Sequence, residues 1–353
     1  MVPSARQQLR GILHLKKHTI TDVAKLAGVS IKTVSRVINQ EPNVRPATQE
    51  KVNKAISQLN YRPSASARSL AGNRSYLLGL LYDNPSASYV MKIQNGVLRT
   101  CRARNYDLLI HPCRYDDPGL DDDIREFIKN TRIDGLILTP PLTDSKRLLN
   151  SLDESGTPYA LISPQSNSAF PWSVGTNDAR VCSRMVQYLA GLGHERIAFI
   201  LGHPDHHALK NRYAGYQQGM KESGLKILKR LCVQGYNSFE SGEESARKLL
   251  SSANPPTAIF ACNDDMAAGA MKAAHEMGLK IPGDVSVAGF DDIPLAGQLW
   301  PALTTVKQHM QAMGETAADI LIRKFRGQGF DEVNRVIDSE LVVRDSTGPV
   351  SAR

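Results

Sequence analysis

Residues 19–38, "TITDVAKLAGVSIKTVSRVI", fit two short helices and little else. Thr19 and Asp22 have the T-x-x-D form, in which a hydroxyl and a carboxylate satisfy the free N–H groups of a helix start. Val23, Ala24, Leu26 and Ala27 follow at helical spacing, and Gly28 stops the helix. Ser30 is placed to cap a second helix whose apolar positions Val34, Val37 and Ile38 share one face. A third helix is expected from Pro46, a favourable first-turn residue, to Leu59, with Val52, Ala55, Ile56 and Leu59 inward. Two short helices joined by a tight glycine turn and closed by a third make a helix-turn-helix unit, whose second helix matches the width of the DNA major groove. A three-helix bundle for protein contacts is the alternative.

Charge favours DNA. Residues 1–76 hold 13 Lys and Arg against three acids, whereas the remaining residues hold 30 basic and 32 acidic groups. A head of charge +10 on a body of charge −2 is the pattern of a polyanion-binding module attached to a neutral globular domain. With 353 residues, two or three domains are expected. No apolar run is long enough to span a membrane. The first 18 residues lack the apolar stretch of a secretory signal. Five scattered cysteines, none in a C-x-x-C pair, point to reduced thiols in a cytoplasmic protein.

After Tyr76 the texture changes. "YLLGLLYD", "YDLLIHPC", "IDGLILTP", "PYALIS", "RIAFILG", "TAIFACND" and "VSVAGFDD" read as strands. Between them lie amphipathic segments such as "YVMKIQNGVLRTCRARN", "DDDIREFIKNTR" and "SKRLLNSLDESG", and helices at 178–192, 209–223 and 265–277. Two such runs imply two doubly wound parallel sheets, with a ligand cleft at the carboxyl ends of their strands. The fold class is therefore α/β with a three-helix head. His203, His206 and His207 read as a polar loop near the cleft, because nothing pairs them with further metal-ligand residues. The acidic run Asp116, Asp117, Asp121, Asp122 and Asp123 lacks calcium-loop spacing and reads as a solvated helix start. No phosphate-loop, dinucleotide or nucleophile-elbow motif is present, so neither an enzyme nor a bound cofactor or metal is expected.

The head, "TITDVAKLAGVSIKTVSRVIN", resembles the DNA-binding signature of the lactose-repressor (LacI/GalR) family of bacterial transcriptional regulators. The likeness continues through "KVNKAISQLNYRP" and "ARSLAG" and covers residues 19 to about 345. It implies that Ile31, Lys32 and Arg36 occupy base-reading positions, Arg36 and Lys32 able to donate to guanine and Ile31 to touch a thymine methyl. Thr19, Ser30, Thr33, Ser35 and Asn39 match phosphate-contacting positions. In "RPSASARSLAGNRS", Ser64 can cap a short helix over 65–71 that Gly72 ends, too short to be helical alone in water. By resemblance this is a hinge helix that orders in pairs in the operator minor groove. Leu70 is then a wedge between base steps, Ala67 permits close approach and Arg68 reaches phosphate.

The same resemblance implies a periplasmic-binding-protein-like core with crossings between lobes near 174, 305 and 337. The expected layout is a basic, disordered extension at 1–18, the helix-turn-helix domain at 19–62, the hinge at 63–75 and the core at 76–345. Lobe 1 takes about 76–174 and 305–337, lobe 2 about 175–304 and 338–345, and a tail follows at 346–353. Arg212, Asn263 and Asp291 match the hydrogen-bonding cluster of an effector pocket, a donor–acceptor mix that suits vicinal hydroxyls. Asp264 belongs either to that cluster or to the cap of the following helix. Asp83, Ser163 and Met310 match further lining positions, and Trp300 is either an apolar platform or a loop-packing residue. The expected partners are a pseudo-palindromic DNA operator, a carbohydrate effector and a second copy of the chain. The absence of heptads in "DSTGPVSAR" speaks for a dimer. A transport receptor and a sugar-modifying enzyme are the competing readings; the basic head disfavours the first, and the lack of a catalytic motif the second.

Overall fold

The computed structural model describes residues 18–38, 44–61, 74–165, 172–206, 209–327 and 334–351. The extension up to residue 17, Asn39, the hinge residues Ala67, Arg68 and Leu70, and His207 lie outside them. The chain divides into two compact units after Tyr76.

The first unit contains α1 (Ile20–Ala27), α2 (Ile31–Ile38) and α3 (Pro46–Gln58). The Thr19 amide donates to Asp22 Oδ2 at 2.8 Å while the Asp22 amide donates back to Thr19 Oγ1, which completes a capping box. Gly28 ends α1 at φ 65°, the left-handed conformation that a side chain disfavours. Ser30 Oγ accepts from the Thr33 amide at 3.1 Å and so starts α2. Val23, Val34 and Val52, one from each helix, are fully buried and form the centre of a small core with Ala24, Ala55 and Tyr61.

From Leu77 the second unit runs β1 (Leu77–Tyr82), α4 (Ala87–Ala103), β2 (Asp107–Pro112), α5 (Leu120–Thr131), β3 (Gly135–Leu138), α6 (Lys146–Glu154), β4 (Tyr159–Ile162) and β5 (Ser173–Thr176). It continues through α7 (Asp178–Gly191), β6 (Ile197–Leu201), α8 (Leu209–Glu222), β7 (Cys232–Gln234), α9 (Phe239–Leu250), β8 (Ala258–Ala261), α10 (Asp264–Glu276), β9 (Ser286–Ala288) and α11 (Pro294–Gln298). The chain ends with β10 (Thr305–Lys307), α12 (Met310–Phe325), β11 (Asn334–Ile337) and β12 (Glu340–Val342).

Lobe 1 is a parallel sheet of order β11-β5-β4-β3-β1-β2, and lobe 2 a parallel sheet of order β7-β6-β8-β9. Helices cover these sheets on both faces, which is why the central strands read as unbroken apolar runs. Leu136–Ile137–Leu138 and Ala258–Ile259–Phe260–Ala261 are fully buried. The chain passes between lobes after Thr176, after Lys307 and after Ile337. At these crossings β10 and β12 pair antiparallel, and β10 continues alongside the end of β9 through bridges Ala288–Thr304 and Asp291–Lys307.

Residues 346–351, the described part of the tail, pack on lobe 2. Ser346 is fully buried, with its oxygen accepting from the Thr304 amide at 2.8 Å. The Val350 amide reaches Leu192 O at 3.0 Å, and the buried His194 ring meets Ser286 Oγ and Gly348 O, both at 3.0 Å.

Helices α4 and α12 approach until only glycine fits. A Cβ at Gly96 would overlap the Gln311 carbonyl oxygen, and one at Gly314 the Ile93 carbonyl oxygen. Backbone is the obstacle in both cases, so the helices themselves must part to admit a side chain. Gly314→Val is therefore expected to lower stability by roughly 2 kcal/mol or more, read as a shifted urea midpoint. The same change at Gly191, where nothing lies within 4 Å of the added carbon, should move it far less.

Candidate functional site

The head carries its polar surface on α2. Ile31 is 47% exposed, and Lys32 and Arg36 stand outward on the same helix. Among the proposed phosphate contacts, Ser30 and Thr33 hydroxyls bond each other at 2.9 Å, and the Thr19 hydroxyl donates to Asp22 at 2.9 Å. These groups are oriented by the helix starts they cap. The single bond between Ser30 and Thr33 uses one of their two hydroxyl protons.

Between the lobes of the second unit lies a small cavity of about 40 Å³. Lobe 1 lines it with Asn84, Ser86, Tyr89, Pro140 and Ser163; lobe 2 and the crossings supply Asp178, His206, Leu209, Arg212, Asn237, Asn263, Asp291 and Gln308. Arg212, on the first turn of α8, is its centre. Its Nε donates to Asp178 Oδ2 at 3.0 Å, one terminal nitrogen donates to the Cys262 carbonyl, and the other lies 3.4 Å from Asp291 Oδ1. The guanidinium carbon sits 3.7 Å from the centroid of the Phe290 ring, a cation–π contact that fixes its plane. Burial works against the Arg212 charge, but Asp178 and Asp291 outweigh it and hold its pKa above the ordinary value.

Asp291 occupies a positive-φ position (117°) just beyond β9, held by its amide to Val306 O at 2.7 Å. Gln308 Nε2 donates to Asp291 Oδ1 at 2.6 Å. Burial raises the Asp291 carboxyl from its ordinary 3.8 to about 6, against the opposing pull of Arg212 and Gln308. Burial, reinforced by Asp291, likewise pushes the Tyr89 phenol upward, so it stays a neutral hydroxyl.

Of the eight effector residues expected from sequence, Ser163, Arg212, Asn263 and Asp291 line this cavity and four do not. Asn263 caps α10, its Oδ1 accepting from the Met266 amide at 2.9 Å and its Nδ2 donating to Asn237 O at 2.9 Å. Asp264 is fully buried behind the wall, where Oδ2 accepts from the Ile293 amide at 2.9 Å and Oδ1 from the Thr305 hydroxyl. It is thus neither pocket group nor cap; it ties α10 to the Asp291 loop and to the β10 crossing. Asp83 Oδ2 accepts from the Tyr115 amide at 2.8 Å, and its neighbour Asn84 faces the cavity instead. Met310 is buried in lobe 1 at the start of α12, and Gln308, two residues earlier, takes the lining position. Trp300 is 94% exposed, so it forms neither a platform nor a packed loop.

Sequence reasoning missed Asp178, Asn237, Gln308 and Tyr89. Only Asp178 left a signal, as a carboxylate at a helix start directly after a lobe crossing. His206 is buried in the wall; its ring centroid is 5.5 Å from that of His203, whose Nδ1 lies 3.7 Å from Asp205 Oδ2. Among the described residues no group of three or more His, Cys, Asp or Glu is placed to hold a metal ion, and no helix is long and apolar enough to cross a membrane. The acidic run starts α5, with Asp121, Asp122 and Asp123 in its first turn.

A helix-turn-helix unit followed by a two-lobed binding core defines a ligand-responsive DNA-binding regulator, and known proteins agree. Residues 19–64 match the family model of bacterial regulatory proteins, lacI family, and residues 186–347 match the periplasmic binding protein-like domain. The HTH-type transcriptional regulator DegA of Bacillus subtilis (strain 168) is 36% identical over 338 residues, 95% of this chain and 99% of the relative. The lac repressor dimer bound to operator and the anti-inducer ONPF superposes with a TM-score of 0.74 at 29% identity, covering 94% of this chain and 100% of that one. A complex of the transcriptional regulator CelR with cellobiose gives 0.71 at 29% identity, covering 93% and 99%. The chain belongs to the lacI family of bacterial regulatory proteins and is a DNA-binding transcriptional regulator.

Two outcomes follow from the cavity's charges. Arg212→Met leaves two buried carboxylates without their cation and is expected to cost about 3–5 kcal/mol, measured by urea unfolding; adding Asp291→Asn should recover part of it. The native Asp291 carboxyl takes up its proton as pH falls through about 6, whereas the unfolded one waits until its ordinary 3.8. Its contribution to stability is present at low pH and is lost as pH rises through that window. Comparing the pH dependence of unfolding of wild type and Asp291→Asn between those values should show the variant lacking this slope.

Proposed function

We propose that the chain is a homodimeric repressor acting on DNA in the cytoplasm, its operator affinity set by a small carbohydrate held between the lobes of the core. The observation that carries the ligand reading is Arg212 bracketed by Asp178 and Asp291, with Asn237, Asn263 and Gln308 around them. Such a cluster offers a charged donor and charged acceptors side by side. A sugar hydroxyl both gives and takes a hydrogen bond, and vicinal hydroxyls can use the pair together. The cellobiose complex of CelR, a structural neighbour, supports the same class of ligand.

On the head, Lys32 and Arg36 read base edges and Ile31 contacts a thymine methyl, while Thr19, Ser30, Thr33, Ser35 and Asn39 set register on phosphate. Ala67, Arg68 and Leu70 form the minor-groove hinge, a role assigned on sequence. One helix-turn-helix reads a short half-site, so two copies are expected on a pseudo-palindrome. The dimeric lac repressor–operator structure supports that assembly. A ligand changes operator affinity only by its differential affinity for the two states of the dimer.

The test is selection of bound sequences from random DNA by the full chain, followed by titration of the selected site. A pseudo-palindromic site supports the proposal; binding to all sequences alike would refute it. On the selected site, Arg36→Ala should cost about 1–3 kcal/mol, roughly five- to 150-fold in affinity, and relax preference at one position of each half-site. Leu70→Ala should weaken operator binding while leaving sugar affinity unchanged, measured by gel shift and calorimetry on the same preparation.

A further inference from the structure

We propose that the inter-lobe cavity selects a neutral sugar and rejects the phosphate esters and carboxylate derivatives of that sugar, an inference that rests on reading this cavity as a carbohydrate site. Its wall from lobe 1 (Asn84, Ser86, Tyr89, Pro140, Ser163) carries no formal charge. The wall from lobe 2 carries one guanidinium, Arg212, and two carboxylates, Asp178 and Asp291. Arg212, Asp178 and Asp291 together sum to one negative charge. Asp265, just inside α10, lies within electrostatic reach of Asp291, and burial raises its own carboxyl above the ordinary value.

Nor is the cation available to a new anion. Two of the five N–H groups of Arg212 already donate to Asp178 and Cys262 O, a terminal nitrogen is ion-paired to Asp291 at 3.4 Å, and its face is laid on Phe290. The other N–H groups can bond a hydroxyl oxygen, but the charge behind them is balanced by both carboxylates. Lys92, on the lobe-1 helix α4, spends its ammonium on the Asp292 carbonyl at 2.6 Å.

Helix N-termini are the other usual means of holding phosphate. Two beside this cleft hold the chain's own acids, Asp178 in the first turn of α7 and Asp264 and Asp265 in that of α10, whereas α4 and α8, whose first turns supply Tyr89 and Arg212 to the lining, carry no acid there. A phosphate dianion entering this desolvated space meets two carboxylates and, among the described lining residues, one guanidinium that they already balance. A neutral polyol finds acceptors for its protons and donors for its lone pairs.

The experiment is calorimetric titration of the full-length protein at pH 7.5 with matched pairs: D-ribose and D-ribose 5-phosphate, D-glucose and D-glucose 6-phosphate, D-fructose and D-fructose 1-phosphate, and D-glucose against D-gluconate. The expected result is binding of at least one neutral member, with its charged counterpart weaker by roughly a hundredfold or more. Asp178→Asn, which removes one lining charge, should narrow that gap by about tenfold or more; circular dichroism verifies that the variant is folded. A charged member binding as tightly as its neutral parent, or more tightly, would overturn the inference while leaving the carbohydrate reading intact. Binding of no member, neutral or charged, would withdraw the carbohydrate reading and this inference together.

Discussion

A single guanidinium organises the working end of lobe 2. Arg212 arrives on α8, yet its partners come from three other places: Asp178 at the first lobe crossing, the carbonyl of Cys262 at the end of β8, and Asp291 beyond β9. A buried charge is tolerated only when its donors are satisfied, so the positions of these three segments are mutually dependent. Phe290 beneath the guanidinium plane removes its last freedom. What results is a rigid floor on one side of the cleft, faced on the other by uncharged groups of lobe 1. Rigidity on one side and neutrality on the other allow a ligand to be oriented by lobe 2 and enclosed by lobe 1.

The floor is coupled to the crossings as well as to the cavity. Asp264 carries no ligand-facing atom, but its two oxygens join the Asp291 loop to strand β10, where the chain passes back to lobe 1. Gln308, on the crossing itself, donates to Asp291 at 2.6 Å. The acidic group that meets the cavity and the segment that carries lobe 1 are thus one hydrogen bond apart. A change in how the cavity is filled therefore acts directly on the segment between the lobes.

Much of this architecture was legible in the sequence, for identifiable reasons. The capping box of Thr19 and Asp22, the turn at Gly28 and the Pro46 start are local chemistry, and local chemistry survives folding unchanged. Strands such as Leu136–Leu138 announce themselves because burial on both faces leaves no polar position. By contrast, β7 and α9 passed unnoticed. The first is three residues long and only half-buried, and the second packs through Gly242, Ser245 and Ala246, small residues that carry little apolar signal. In the cavity, Arg212, Asn263, Asp291 and Ser163 were readable from strand ends and family pattern. Asp178 and Gln308 were not, because their positions depend on how two crossings are threaded past each other. Asp264 and Met310 failed for the opposite reason: they adjoin lining residues, but the backbone turns them inward. Trp300 shows that a large aromatic beside a proline says nothing about which way its loop faces.

The interleaving of the lobes also bears on how the protein is made. Lobe 2's whole sheet, β6 to β9, is encoded between residues 197 and 288, in one continuous stretch. Lobe 1 must wait: its edge strand β11 and the helix α12 that seats against α4 are translated only after the four strands of the lobe 2 sheet. On the ribosome, the face of α4 bearing Ile93, Gly96 and Val97 emerges early and stays uncovered while more than half of the chain is still to be added. Domains fold as units during synthesis, and lobe 2 too is closed only by β12 and residues 346–351 at the end of the chain. The α4 face therefore stays uncovered from the time it emerges until α12 is made, and truncation before residue 325 would leave it so.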